Sequence, residues 1–525
     1  HLSIRRQRQM CIRDSLQTMQ AGESWQASWV RDNTGLEVQR TFSGGVTVRT
    51  ERDCFGREVR KSVRSGGMER GAYRYQWGIA NRLLSKENEL TGTVTRYDYD
   101  RFDFLIRQET IQGSETDVIY RTPDFVGNLF ETPDKKDRKY GAGGKLLEDP
   151  DCFYHYDDEG NLIFREFKQL QETGVRFDRK RMEKERGIRC LATGTGWLYE
   201  WSSNGMLKKV IRPDGRPVEF RYDALGRRTA KQYFGKVTRW VWDGNVPIHE
   251  WGYKVTNMQP DEEESAPPKE PTEDITTWVF EAGTFVPTAK IQDGKQYSIV
   301  SDYLGTPIQM YDELGNKTWD CTLDIYGKVT NFEGSSLNEC PFRMQGQYFD
   351  SETNLCYNRF RYYSPETGTY LSQDPIGLQG GSRLYGYVHN PNGWIDQFGL
   401  SELVYQLLND KGEVVYYGIT SRTAEERLAE HLANPEKIGK VANMEVLAEG
   451  LSHDQARSIE GALIRKRMAE NVDKFSATDS IDKQLEKSGL LNKNRGRVKE
   501  RWTSDNPLDE FKDKISKNPK KVKCH

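Results

Sequence analysis

Tyr154-His155-Tyr156-Asp157-Asp158-Glu159-Gly160-Asn161-Leu162 reads as one β-hairpin. Aromatic residues stand at alternate positions, an acidic turn follows, glycine closes it, and an apolar residue begins the return. Period-two alternation suits a pleated strand with one buried face, and glycine after the acidic residues supplies the positive-φ position a tight turn needs. The pattern returns loosely in Tyr97-Asp98-Tyr99-Asp100, Arg221-Tyr222-Asp223-Ala224-Leu225-Gly226-Arg227 and Tyr311-Asp312-Glu313-Leu314-Gly315-Asn316. Recurrence at irregular intervals of tens of residues predicts hairpins sharing a continuous sheet.

These repeats, running from about Gly71 to Asp350, resemble the YD repeats of Rhs proteins. The resemblance spans roughly residues 40 to 400 and implies a large hollow β shell. The expected fold is therefore mainly β: a YD-repeat shell over 16–340, then a small α/β domain. One stretch breaks the pattern, Gln259-Pro260-Asp261-Glu262-Glu263-Glu264-Ser265-Ala266-Pro267-Pro268-Lys269-Glu270-Pro271. Too polar to bury apolar surface, it predicts an exposed loop over 257–274 between hairpins.

Composition narrows the functional classes. With 77 Lys and Arg against 79 Asp and Glu over 525 residues, no global attraction for polyanions exists. From Lys483 onward, however, 13 basic residues face 6 acidic ones, a local balance that attracts phosphate backbones. The eight Cys form no CxxC pair and have no His partners at ligand spacing, so neither a zinc site nor a disulfide framework is indicated. No apolar run is long enough to span a membrane, and no signal-peptide pattern opens the chain. His1–Ser15 has no interpretable periodicity and reads as non-native sequence, so the natural N-terminus and any delivery region before residue 16 are expected to be absent.

A change of texture falls near Leu400. Pro341-Phe342-Arg343-Met344-Gln345-Gly346-Gln347-Tyr348-Phe349-Asp350 leads through Asn358-Arg359-Phe360-Arg361-Tyr362-Tyr363 to Asp374-Pro375-Ile376-Gly377-Leu378, and then to Asp396-Gln397-Phe398-Gly399-Leu400. Read alone, both aspartates are ordinary turn residues. The whole stretch, 341–400, closely resembles the Rhs core-terminal region, which implies a self-cleavage site cutting between Leu400 and Ser401. Two carboxyls held together cannot both ionise cheaply, so one keeps a proton and acts as acid while the other activates water. Asp374 and Asp396 are the candidates. Gln397 departs from the proline usual in the second motif, which puts the rate of cleavage in doubt.

Beyond the seam, 401–525 changes character. Val404–Leu408 and Val414–Ile419 flank Asn409-Asp410-Lys411-Gly412-Glu413 as a predicted hairpin. Thr423-Ala424-Glu425-Glu426-Arg427-Leu428-Ala429-Glu430-His431 has a capping-box start and brings Arg427 and His431 to one helical face. A second helix from Ser452 carries Ala456, Glu460 and Ile464 at four-residue spacing, and Leu490-Leu491-Asn492-Lys493-Asn494-Arg495-Gly496-Arg497 follows.

That order resembles the GIY-YIG nuclease family, with Leu403-Val404-Tyr405 standing where the family has Gly-Ile-Tyr. The resemblance implies a catalytic set of Tyr405, Tyr416, Arg427, His431, Glu460 and Asn492, with Glu460 holding Mg²⁺ or another divalent cation. Arg427 would grip the phosphate, and Tyr405 or Tyr416 would take the proton from water, its pKa lowered by nearby cations. A basic tail, including Lys493, Arg495, Arg497, Lys499 and Arg501, is expected to contact nucleic acid through phosphates. Taken together, these resemblances imply a toxin made in a bacterial cytoplasm and secreted into a target cell. Its β shell would enclose a metal-dependent nuclease acting on DNA, RNA being the alternative substrate. The implied partners are a cognate immunity protein and components of a secretion apparatus, met through the absent N-terminal region. The alternative is a surface or adhesion YD-repeat protein whose C-terminal module binds without catalysis.

Overall fold

The computed structural model describes residues 18–21, 25–172, 174–255, 270–375, 377, 383–400, 402–420, 427–428, 431–432, 440–451, 453–471, 481–491 and 515–523. The hairpin unit is built by its turn. In Asp223-Ala224-Leu225-Gly226-Arg227, Asp223 Oδ1 accepts from the backbone N–H of Leu225 at 2.9 Å and of Arg227 at 2.8 Å. Gly226 takes φ +73° while its N–H reaches Asp223 O at 3.0 Å. Asp312 repeats this with Leu314, Asn316 and Gly315, and Asp157 with Asn161 and Gly160. The aspartate thus satisfies turn N–H groups, and glycine removes the steric cost of the left-handed step that forms the bulge. At Asp100-Arg101-Phe102-Asp103 no glycine is present, and Asp103 itself adopts φ +66°.

Repetition of this device yields two long meanders. Ten strands, from Thr18–Ala21 to Glu115–Tyr120, form one sheet; sixteen, from Lys139–Tyr140 to Val329–Glu333, form another. In both, each strand pairs with its neighbours in sequence. Val246–Lys254 pairs directly with Thr276–Phe280, the strands on either side of the acidic insertion, most of whose expected loop, residues 256–269, lies outside the described set. The excursion between Leu162–Phe167 and Gly196–Trp201 was not anticipated. It contains the helix Arg179–Arg186, capped by Asp178, and is tied down by buried Glu166, whose carboxylate accepts from the N–H groups of Leu191, Ala192 and Gly194.

Sixteen strands laid flat would extend about 70 Å. Instead, side chains from Leu146 near the first strand to Cys321 near the last share one hydrophobic cluster with Cys340, Phe342, Tyr348, Tyr357, Tyr362 and Leu371. The sheet therefore curves around residues 340–371, which form the small four-stranded sheet running from Tyr348–Asp350 to Thr369–Tyr370. The ten-stranded sheet closes onto the same wall, with Trp25 Nε1 donating to Ser298 Oγ at 3.2 Å and Ser65 Oγ to Gly315 O at 2.6 Å.

Because a meander alternates its turns, every second turn falls on one rim. Four turns of that rim meet the region 341–400. Arg359 donates to Leu225 O, Tyr385 to Gly160 O, Gln345 to Leu304 O and Tyr363 to Tyr326 O, at 2.6–2.9 Å. Region 341–400 thus plugs one end of the curved sheet. A buried ion cluster fastens it: Asp350, inaccessible to solvent, pairs with Arg228 and Lys231, while the Arg228 guanidinium lies 4.5 Å from the Trp240 ring and 4.6 Å from that of Tyr357.

The C-terminal part has a four-stranded sheet in the order Val414–Thr420, Glu402–Leu408, Asn443–Leu451, Ile515–Lys523, with helices His453–Ala469 and Ile481–Lys487. Its first hairpin turns as expected, Asn409 standing in for the aspartate and Gly412 at φ +78°. The last strand corrects the reading of the basic C-terminal stretch as a tail throughout. Residues 515–523 pair with Asn443–Leu451, Lys521 lying opposite Glu445. Lysine content and Pro519 hid a strand that exists because a sheet edge accepts it.

Candidate functional site

At the seam the two aspartates meet. Asp374 and Asp396 are 4% and 7% exposed, too dry for two unshared charges. Arg361 lies between them, Nη2 standing 3.1 Å from Asp374 Oδ2 and 3.5 Å from Asp396 Oδ2. The same guanidinium bonds the Gly399 carbonyl through Nε and the Leu384 carbonyl through Nη1. Burial pushes the Asp396 carboxyl above its usual range, Arg361 and Tyr370 oppose the rise, and Asp374 adds to it. Asp396 Oδ1 accepts from the N–H of Leu400 at 3.1 Å and of Phe398 at 3.3 Å, which fastens the carboxylate to its own downstream chain. Leu400 is buried, and Ser401 lies outside the described residues.

Gln397, the departure from the motif, is accommodated. Its side-chain amide donates to Gln345 Oε1 at 2.9 Å, and its backbone lies against Gly346 at φ +89°. A Cβ on Gly346 would stand 2.2 Å from Gln397 O. Gly346→Ala is therefore expected to push this segment away from Arg361 and lower the fraction of cleaved chain seen on a denaturing gel; an unchanged fraction would show that the segment tolerates the shift.

The second cluster assembles in the C-terminal sheet. Tyr405 sits opposite Gly418 in the hairpin register, with Tyr416 two residues before that glycine. A Cβ on Gly418 would come 2.5 Å from the Tyr405 hydroxyl, so the glycine makes room for the ring. The rings of Tyr405 and Tyr416 stack at 6.2 Å, and that of His431 lies 5.6 Å and 5.2 Å from them. Arg427 Nε lies 3.1 Å from the Tyr405 hydroxyl and His431 Nε2 2.7 Å from it. The guanidinium can only donate, so the hydroxyl accepts from it and can give its own proton to His431 when the imidazole is neutral. Glu460, 1% exposed on the helix His453–Ala469, is near enough for its charge to act on Tyr405.

Five of the six expected catalytic residues thus converge. Asn492 lies outside the described residues, as do Thr423 of the capping box and Lys493, Arg495, Arg497, Lys499 and Arg501. The expected electrostatics need correcting. Burial, reinforced by Tyr416, raises the Tyr405 pKa, and Arg427 offsets only part of it. Tyr405 therefore keeps its proton at neutral pH. Arg361 and Tyr370 were missed as site residues. The available signal was a run of polar residues inside otherwise apolar strands.

Comparison with known proteins bears on the shell. The teneurin YD-shell profile matches residues 31–379, about two thirds of the chain. The chain belongs to the teneurin YD-shell family. Among curated relatives of this YD-shell chain, double-stranded DNA deaminase toxin A of Burkholderia cenocepacia is 30% identical over 411 residues, covering 72% of this chain and 26% of that protein. The probable deoxyribonuclease RhsA of Dickeya dadantii is 28% identical over 431 residues, covering 78% and 27%. The YD-shell chain thus spans about a quarter of the length of these relatives. A crystal structure of TcdB2-TccC3 without its hypervariable C-terminal region aligns with a TM-score of 0.37 at 18% identity, covering 74% of this chain and 23% of that one. Among the described residues, no helix is long and apolar enough to cross a membrane.

Proposed function

We propose that the chain is the shell-and-cargo part of a secreted antibacterial toxin, in which Asp374 and Asp396 cut after Leu400 and free a DNA-cleaving domain over 401–525. The cut is a hydrolysis. One carboxylate takes a proton from water, whose oxygen adds to the Leu400 carbonyl carbon while the protonated partner gives its proton to the carbonyl oxygen. The intermediate returns that proton to its donor, the first carboxyl protonates the Ser401 nitrogen, and the C–N bond breaks.

The observation that carries the nuclease reading is the Tyr405 hydroxyl held between Arg427 and His431, with Glu460 beside it. As water attacks the phosphorus, Tyr405 accepts its proton and passes its own to a neutral His431 at Nε2, while the P–O bond to the departing sugar oxygen breaks and that oxygen takes a proton from solvent water. Arg427 grips the non-bridging phosphate oxygens. Among the described residues no group of three or more His, Cys, Asp or Glu gathers. A single buried carboxylate with hydroxyls nearby fits a hard cation that keeps most of its water, so Glu460 would hold Mg²⁺. When bound, the ion supplies positive charge to the phosphate. Asn492 would position the phosphate, and Lys493, Arg495, Arg497, Lys499 and Arg501 would bind the backbone in a strongly salt-dependent way. DNA as substrate is supported by the names of the relatives; an immunity protein and a secretion apparatus complete the reading.

The test is plasmid nicking by a purified fragment of residues 401–525 with Mg²⁺. Glu460→Ala should lower the rate by at least about 10²-fold, the scale of removing one preorganised electrostatic group. If the unsubstituted fragment leaves plasmid intact, the C-terminal part is a binding module.

A further inference from the structure

We propose that the cavity between the shell and the plug at Arg383 is a binding site for a small amphipathic carboxylate, a molecule with one anionic head and an apolar body. The inference stands on the shell and the plug and is independent of the self-cleavage reading. Two shell turns, 124–128 and 141–145, meet plug residues 383–386 around a cavity of about 230 Å³. That is far more than the roughly 10–15 Å³ one water needs. Glycines make the room for the arginine. A Cβ on Gly127, at φ +91°, would collide with Arg383 Cδ, and one on Gly386 would stand 3.1 Å from Arg383 Cβ, so the stem runs between two bare stretches of backbone.

The side chains at the cavity select the ligand. Asn128 gives its amide to Asp124 Oδ2 at 2.9 Å, Thr369 shares a hydrogen bond with Thr367 at 2.9 Å, and the hydroxyls of Tyr140 and Tyr385 donate to the carbonyls of Leu129 and Gly160. Arg383 is different. Half-buried, it has neither a carboxylate nor a hydrogen-bond partner among the described residues, and its guanidinium lies 5.1 Å from the centre of the Phe104 ring. The charge that acts on it is a second cation: Arg121, 1% exposed, which donates to the carbonyls of Val388 at 2.8 Å and His389 at 2.9 Å. Burial, reinforced by Arg121, pulls the Arg383 pKa down to about 10. A cation drawn out of water without a counter-charge is costly, and a bound anion removes that cost. The guanidinium fork matches a carboxylate. Val126, Leu129, Leu384 and the two tyrosine rings supply apolar walls, the usual makeup of a site in which a few polar groups orient an apolar body. Inorganic phosphate would meet the arginine and leave those walls unused. A bound carboxylate touches shell and plug at once, so occupancy stabilises the seated plug by mass action.

The test is titration calorimetry and thermal unfolding of the full chain with hexanoate, benzoate and cyclohexanecarboxylate at constant ionic strength. Hexanol, which lacks the charge, and acetate and inorganic phosphate, which lack the apolar body, are the controls. At least one of the three carboxylates should bind saturably and raise the unfolding temperature, with every control weaker by at least about tenfold. Arg383→Met keeps a long apolar stem and should weaken that carboxylate roughly ten- to a hundredfold, the scale of losing hydrogen bonds to a charged group. Because it removes an uncompensated cation, the ligand-free variant should melt no lower than the unsubstituted chain. Val126→Trp, at an exposed turn position lining the cavity, narrows the space while leaving Arg383 in place and should weaken the same carboxylate about tenfold. Failure of all three carboxylates to bind, or unchanged binding in either variant, overturns the site. Phosphate binding as tight as theirs and lost in Arg383→Met overturns the carboxylate class.

Discussion

Asp374→Asn should give a single band on a denaturing gel where the unsubstituted chain gives two, the smaller being residues 401–525. The substitution keeps the shape of the side chain and its contact with Arg361, so the plug should still seat. It removes the group that can hold and return a proton. Loss of a positioned acid–base group slows a step by about 10²–10⁴-fold, and among the described residues Asp396, beside Arg361 and almost closed to solvent, is the carboxyl left at the site. The introduced amide also faces Arg361 without charge, leaving Asp396 as the sole carboxylate of the pair beside that cation. Two bands of wild-type intensity from the variant would falsify the role given to Asp374.

Asp350→Ala should do wider damage. Asp350 has no solvent exposure and binds Arg228 Nη2 at 3.1 Å and Lys231 Nζ at 2.8 Å. Burial alone opposes its ionisation, yet Arg228 and Lys231 hold the carboxyl below the usual range. Truncation leaves two cations in an aromatic pocket, with only Glu352 remaining for Lys231 at 2.8 Å. Breaking a buried pair from one side costs about 3–5 kcal/mol. Asp350 begins the return of the small sheet inside the curved one, so the penalty falls on the docking of 341–400. The expected result is a lower unfolding temperature together with less of the 401–525 band. An unchanged melting curve would mean that the cluster contributes little to stability.

Much of this architecture is local and therefore legible. Asp223 and Gly226 build their turn from five consecutive residues, so composition and spacing sufficed to read it, and the same holds for Asn409 and Gly412. The aspartate pair was legible as a pair, and Tyr405, Tyr416, Arg427, His431 and Glu460 as a set, because motif order survived a degenerate first motif. What could not be read depends on distance along the chain. Arg361 looks like any strand residue until the fold carries Asp374 and Asp396 to it from different loops. Arg228 and Asp350 lie more than a hundred residues apart, and nothing local marks either as buried. The strand 515–523 is defined by its partner edge, while its own residues suggest a solvated tail.

The meander has a consequence for synthesis. Each strand of the two large sheets finds its partner in the segment just made, so pairing can follow the growing chain with little loop closure at any step. Region 341–400 differs: its contacts reach back to Gly160, Leu225 and Leu304, and none can form until those turns are in place. Asp374, Arg361 and Asp396 come together only when that late piece has seated. If the proposed scission at Leu400 takes place, it would then be a checkpoint on assembly, withheld from any chain whose wall is unfinished.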